Sequence, residues 1–225
     1  MDQGPKSYWA EFLGTFALCF VGQGAVVAQH ILGHNDLLTI AVAYGVVLAA
    51  MISALGSVSG GHFNPAVTFG FVVTGRQSLT SAITYWISQV LGAVVASFVL
   101  RAAMPGEAGD AVHYGVPVIA AGIGISQAFI LEFVLTFLLV TSVWGTIVDE
   151  RAPRIGGFGI GLTFMVGILV AGPVTGGAMN PARAFGAALV SGNWNAHWLY
   201  WLAPMLGGAA AARVYKSVVL ARDRR

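Results

Sequence analysis

SVSGGHFNPAVTFG, residues 57–70, and PVTGGAMNPARAFG, residues 173–186, carry the same tripeptide, Asn64-Pro65-Ala66 and Asn180-Pro181-Ala182, each behind a Gly-Gly pair. Asn is a favoured N-cap, and proline at the first helical position loses nothing, because that N–H has no intrahelical partner. Each copy therefore predicts a loop running into a helix start. The helices that follow, 65–74 and 181–191, are too short to cross a bilayer yet lie in apolar surroundings. That combination predicts two half-helices with their N-termini buried inside a membrane protein, facing something that passes between them.

Outward from the motifs, the chain has 225 residues, 57% of them hydrophobic and 9% charged, against about 25% charged in an average soluble domain. Six stretches are long and apolar enough to span a bilayer: 8–29, 37–57, 79–101, 125–148, 156–172 and 196–217. About 20 residues are needed for each crossing. The predicted class is an all-α membrane protein of six transmembrane helices plus two re-entrant half-helices. The longest link, 102–124, is rich in Gly, Ala and Pro and holds no separate domain. The first stretch lacks a small-residue cleavage pattern and reads as a retained span. Cys19, the only cysteine, excludes an intramolecular disulfide and reads as an inert buried thiol. The net charge of +2 is concentrated in a basic C-terminal tail, so no nucleic-acid surface is indicated.

Of the eleven Lys and Arg residues, Lys6, Arg76, Arg151, Arg154, Arg213, Lys216, Arg222, Arg224 and Arg225 fall on one side of such a bundle. Arg101 alone falls on the other, and Arg183 lies within the second half-helix. The bias predicts cytoplasmic termini, in a plasma or inner membrane. Trp194, Trp198 and Tyr200 are expected at the outer interface.

The two halves also match elsewhere. EFLGTF begins at Glu11 in the first span and EFVLTF at Glu132 in the fourth, 53 and 48 residues before their asparagines. Three spans plus a half-helix, repeated over about 8–101 and 125–217, make residues 1–225 a single channel domain. Since three is odd, the second copy runs the opposite way through the membrane, and the half-helices meet near the midplane.

Irregular backbone at membrane depth is tolerated only where it is buried in protein or faces water, so loops 57–63 and 173–179 should line an aqueous path. Carbonyls of Gly60, Gly61, His62, Gly176 and Ala178 are expected to form its acceptors. The Asn64 and Asn180 amides are expected to donate to a solute between two positive helix ends, which disfavours cations. Arg183 is too costly at membrane depth, at about 2.5–3.5 kcal/mol, to serve packing alone, and reads as pore-lining. Glu11 and Glu132 read as acceptors for loop N–H groups, with a proton relay as the rival. The His62 ring reads as a loop anchor or a pH sensor. The five His show no metal-ligand spacing, GFGIG (157–161) reads as a helix contact, and no nucleophile–base pair suggests catalysis. No cofactor or metal is indicated.

The paired NPA motifs, the Glu-bearing repeat and the NPAR of the second copy resemble the aquaporin (major intrinsic protein) family across about residues 5–217. AGPVTGGAMNPARAFG with NWNAHWLYWLAP is most similar to the aquaporin-8 branch and plant tonoplast intrinsic proteins. The resemblance implies an outer constriction of Tyr44, Ile168, Gly177 and Arg183. Strict water channels resemble Phe, His, Cys or Thr, and Arg there, so Ile168 and Gly177 imply a wider, less polar corner. Ala184 stands where glycerol channels carry Asp, and Ala188, Tyr200 and Trp201 fit the water-channel pattern. The implied function is a passive channel for water and small neutral solutes such as ammonia and hydrogen peroxide. It would sit in lipid as a homotetramer and exclude protons and ions. The alternatives from the residues alone are a proton-coupled transporter using Glu11 or Glu132 and a membrane scaffold.

Overall fold

The structure, a computed structural model, describes residues 4–153 and 155–221. Arg154, Arg222, Arg224 and Arg225, four of the cations counted toward orientation, lie outside the described residues. In chain order the helices are α1 (Pro5–Ile31), α2 (Leu37–Ser59), α3 (Pro65–Val73), α4 (Leu79–Ala103), α5 (Gly106–Ala111), α6 (Ile125–Val143), α7 (Phe158–Thr175), α8 (Pro181–Ser191) and α9 (Leu199–Val214). No strand occurs among the described residues. Among the described residues five helices, α1, α2, α4, α6 with its extension to Val148, and α7, are long and apolar enough to cross a membrane. The sixth predicted span, α9, has 16 α-helical residues and continues through a π turn at Tyr215–Val219.

The same packings occur in both halves. α1 packs on α2 and α4 as α6 packs on α7 and α9; α3 lies against α9 and α8 against α4; and α2 and α7 join the halves. Close backbone approach makes this possible. A Cβ on Gly92 would lie 2.3 Å from the Phe12 carbonyl oxygen, and one on Gly207 would lie 2.3 Å from that of Phe133. Across the halves, a Cβ on Gly161 would come within 2.3 Å of the Gly45 carbonyl oxygen. Helices in lipid lack a hydrophobic drive to associate, so small residues at the contact let dispersion hold them. The GFGIG stretch is therefore part of a helix seam.

Side chains fix which ends share a face. Ser7 Oγ donates to the Val58 carbonyl at 3.0 Å, Lys216 Nζ to the Thr74 carbonyl at 2.8 Å, and Arg151 to the Val219 carbonyl at 3.1 Å. The start of α1 thus lies with the end of α2, and the end of α9 with that of α3; the Gly157 N–H, donating to Ser53 Oγ at 3.2 Å, joins the two groups through the link between α6 and α7, on what is called here the chain-end face. Arg151 also pairs with Asp149, whose carboxyl is held well below the usual carboxylate range by that guanidinium. On the opposite face Arg101 donates to the Val190 carbonyl at 3.1 Å, at the far end of α8. The half-helices consequently enter from opposite faces. Their 9 and 11 residues measure about 14 and 17 Å at 1.5 Å per residue, together about one hydrocarbon thickness.

One local expectation changes, and one link proves to be folded. The link 102–124 folds into α5 and a 3-10 turn at His113–Gly115 that buries Tyr114 completely. Tyr200 is not an interfacial anchor like the exposed Trp194 and Trp198: it is 1% exposed, and its hydroxyl donates to the Thr175 carbonyl at 2.9 Å. A buried phenol needs a partner, and the loop supplies one.

Candidate functional site

Asn64 and Asn180 cap α3 and α8. Asn64 Oδ1 accepts from the Ala66 N–H at 2.9 Å, and Asn180 Oδ1 from those of Ala182 and Arg183 at 3.0 and 3.3 Å, with Pro65 and Pro181 at the first helical position. Each amide reaches across to the other half: Asn64 Nδ2 donates to the Met179 carbonyl at 2.8 Å, and Asn180 Nδ2 to the Phe63 carbonyl at 2.9 Å. An amide nitrogen carries two hydrogens, so each keeps one for another acceptor. The N-termini of α3 and α8 are thereby tied end to end with both positive dipole ends at one point.

The loops reach this point through matching contacts. α2 and α7 end at Gly60 and Gly176, both left-handed at φ +91° and +82°. Phe63 and Met179 are also left-handed, each at φ +48°, a conformation that costs about 1–3 kcal/mol outside glycine. The two buried carboxylates hold them there. Glu11 accepts from the N–H groups of His62 and Phe63 at 2.9 and 2.6 Å and from Ser59 Oγ at 2.7 Å. Glu132 accepts from the N–H groups of Ala178 and Met179 at 2.9 and 2.8 Å and from Thr175 Oγ1 at 2.6 Å. Gln89 gives Glu11 a further bond at 2.8 Å. Both carboxylates are fully buried.

The His62 ring anchors its loop. It stacks on Phe71 with centroids 4.3 Å apart, and its Nδ1 lies 3.0 Å from Thr68 Oγ1.

Toward the opposite face, the structure brings Tyr44, Ile168, Gly177 and Arg183 together. The Arg183 guanidinium carbon stands 4.4 Å from the Tyr44 ring centroid, while NH1 and NH2 donate to the carbonyls of Gly177 and Gly176 at 3.1 and 3.3 Å. The expected acceptor at Gly176 and the neighbouring carbonyl of Gly177 thus each spend a lone pair on the arginine. The Tyr44 ring packs where Gly22 has no side chain: a Cβ there would fall 1.9 Å from the ring. Gly177 packs on Ile168 and Ala171, 3.2 and 3.4 Å from the site of its missing Cβ. The corner opened by glycine is therefore bounded by α7. Ile168, Gly176 and Arg183 line a cavity on the opposite face, and Gly61, His62, Phe63, Asn64 and Asn180 line a narrower one toward the chain-end face.

Sequence reasoning missed the acceptor residues Phe63 and Met179, the hydroxyl pair Ser59 and Thr175, and Gln89. Ser59 and Thr175 each stand five positions before an NPA asparagine, a signal available by extending the motif comparison backwards. Gln89 carried no such signal, since its counterpart in α9 is Pro204.

Two half-helices joined at their N-termini, an arginine beside an aromatic ring, and a cavity on each side make up this site, and the chain belongs to the major intrinsic protein family, whose model matches residues 3–215. It is an integral membrane channel protein of the aquaporin type and not an enzyme. Aquaporin TIP4-1 of Arabidopsis thaliana is 44% identical over 223 residues, covering 96% of this chain and 87% of that one. Aquaporin TIP2-3 of Zea mays is 40% identical over 225 residues, covering 96% and 88%. Among solved structures, the aquaglyceroporin from Plasmodium falciparum superposes with a TM-score of 0.86 at 26% identity, over 95% of this chain and 96% of that one.

Proposed function

We propose that the chain conducts water and small neutral solutes, ammonia and hydrogen peroxide among them, and rejects protons and ions. The observation that carries this reading is the reciprocal bonding of Asn64 and Asn180 across the half-helix junction. It concentrates about half an elementary charge from each helix end at one point, beside which Arg183 adds a full charge. A neutral solute meets donors there; a cation meets repulsion, as is already established for aquaporin-type pores.

Ile168 and Gly177 support the wider solute range, because neither holds water through a polar side chain. Glycerol should be slow, since Ala184 supplies no carboxylate beside Arg183. Glu11 and Glu132 have their oxygens committed to loop donors, which disfavours a proton relay. The positive bias of the chain-end face supports cytoplasmic termini in a plasma or inner membrane. The matching packings support an inverted repeat of about 8–101 and 125–217, and the family's habit supports a homotetramer with one pore per protomer.

Stopped-flow measurements on proteoliposomes, with osmotic, ammonia and peroxide challenges in parallel, test the proposal. Permeation of all three above empty-liposome background is expected. Water without ammonia or peroxide would narrow the channel to water alone.

A further inference from the structure

The loops of the two halves correspond position by position with an offset of 116. Ser59 and Thr175 bond the glutamates, Gly60 and Gly176 end the long helices, and Phe63 and Met179 share a left-handed backbone. Carrying the outer four residues across by the same offset links Tyr44 to Ile160, Ile168 to Ile52, Gly177 to Gly61 and Arg183 to Val67. All four of these counterparts line the narrow cavity on the chain-end side of the asparagines. Ile52, Val67 and Ile160 are 5%, 3% and 2% exposed.

The local packing is repeated as well. A Cβ on Gly177 would lie 3.2 Å from Ile168 Cα, and one on Gly61 would lie 3.4 Å from Ile52 Cγ1. In both halves a glycine of the loop rests on an isoleucine of the preceding helix. The chemistry differs. The outer group presents a phenol and a guanidinium; its counterpart presents only aliphatic branches.

We propose that Ile52, Val67 and Ile160 form a second specificity element, an aliphatic collar that sets the upper size of the solute. The proposal rests on the channel reading above. The cavity at the collar has room for about 10 Å³. About 10–15 Å³ measured this way holds one water, so the collar passes molecules singly. Its side chains offer no hydrogen bond, and a molecule within it depends on the loop from Gly61 to Asn64 and on its neighbours in file. Leu48 and Phe164, another pair at the same offset, extend the apolar wall toward the asparagines. Apolar constrictions reject ions by dewetting and larger solutes by volume. Because the two constrictions act in series, widening the outer one leaves in place the limit that the collar imposes.

Proteoliposomes holding the wild type, Ile52→Ala/Ile160→Ala or Ile168→Ala test this, with osmotic water flux and glycerol uptake read by light scattering. Water should pass in the wild type and the collar variant, and glycerol should rise at least severalfold more in the collar variant than in Ile168→Ala. Ile52→Val and Ile160→Val, each removing one methyl, should shift glycerol in the same direction by less, and guard against a collar variant that fails to fold. Water flux with glycerol unchanged by every collar substitution, or raised only by Ile168→Ala, would overturn the collar and leave the channel standing. A wild type without water flux would overturn both.

Discussion

The side-chain amide of Asn64 donates to the main-chain carbonyl of Met179 at 2.8 Å, across a separation of 115 residues. Together with its reciprocal from Asn180 to Phe63, this bond makes the two half-helix ends one rigid junction, because each asparagine caps its own helix with the oxygen and grips the other loop with the nitrogen.

Asn64→Asp separates those two roles. The carboxylate still caps α3, but the donor to Met179 is lost and a negative charge enters between two positive helix ends. Stability in detergent should fall by about 1–3 kcal/mol, the cost of leaving a buried acceptor unpaired, and cation conductance should appear in planar bilayers. Asn64→Ala should lose the cap too, about 1 kcal/mol more, without the cation leak. Equal conductance in the two variants would show that the charge at the junction does not govern selectivity.

Glu132→Ala strips the partner from Thr175 Oγ1 and from the N–H groups of Ala178 and Met179. At about 1–3 kcal/mol for each group left unpaired, the protein should lose thermal stability and yield, and Glu132→Gln should be milder. A stable Glu132→Ala protein that has lost a proton-driven flux would instead restore the relay reading.

Arg183→Val removes the guanidinium over Tyr44 and releases the carbonyls of Gly176 and Gly177. Water flow should persist while protons and cations begin to leak. Voltage-clamped bilayers measure this, and an unaltered leak would remove Arg183 from the rejection of charge.

Mercuric chloride should leave water flux unchanged. Cys19 is fully buried and packs with Ala93, Ala96 and Ala182, and Gly177 places no thiol beside Arg183. Rapid block that persists in Cys19→Ser would contradict this placement.

The membrane class, both half-helices and the caps were legible because they depend on local patterns: apolar runs, Asn before Pro, and glycines at helix ends. The glutamate supports were legible through repetition, since Glu11 and Glu132 sit in matching hexapeptides. What escaped depends on long-range contact. That Phe63 and Met179 would lend their carbonyls to asparagines of the opposite half follows only once α3 and α8 meet. Likewise, the room for the Tyr44 ring comes from Gly22, on a different helix. Tyr200 misled for a related reason: its place beside two tryptophans suggested an interface, whereas the helical turn carries its hydroxyl inward to Thr175. The interlocking of Arg183 with Gly176 and Gly177 was hidden because sequence shows the loop carbonyls and the arginine without showing that they face each other.

The proposed channel passes neutral molecules across the junction of the half-helices passively and holds back protons. It is tested most directly by liposomes loaded with a pH-sensitive dye and subjected to an osmotic and a proton gradient together. Shrinkage is expected at a rate linear in the osmotic gradient, unchanged when the proton gradient is reversed, with dye signal at the level of empty liposomes. Saturable flux that follows the proton gradient, with the dye reporting proton entry, would contradict it.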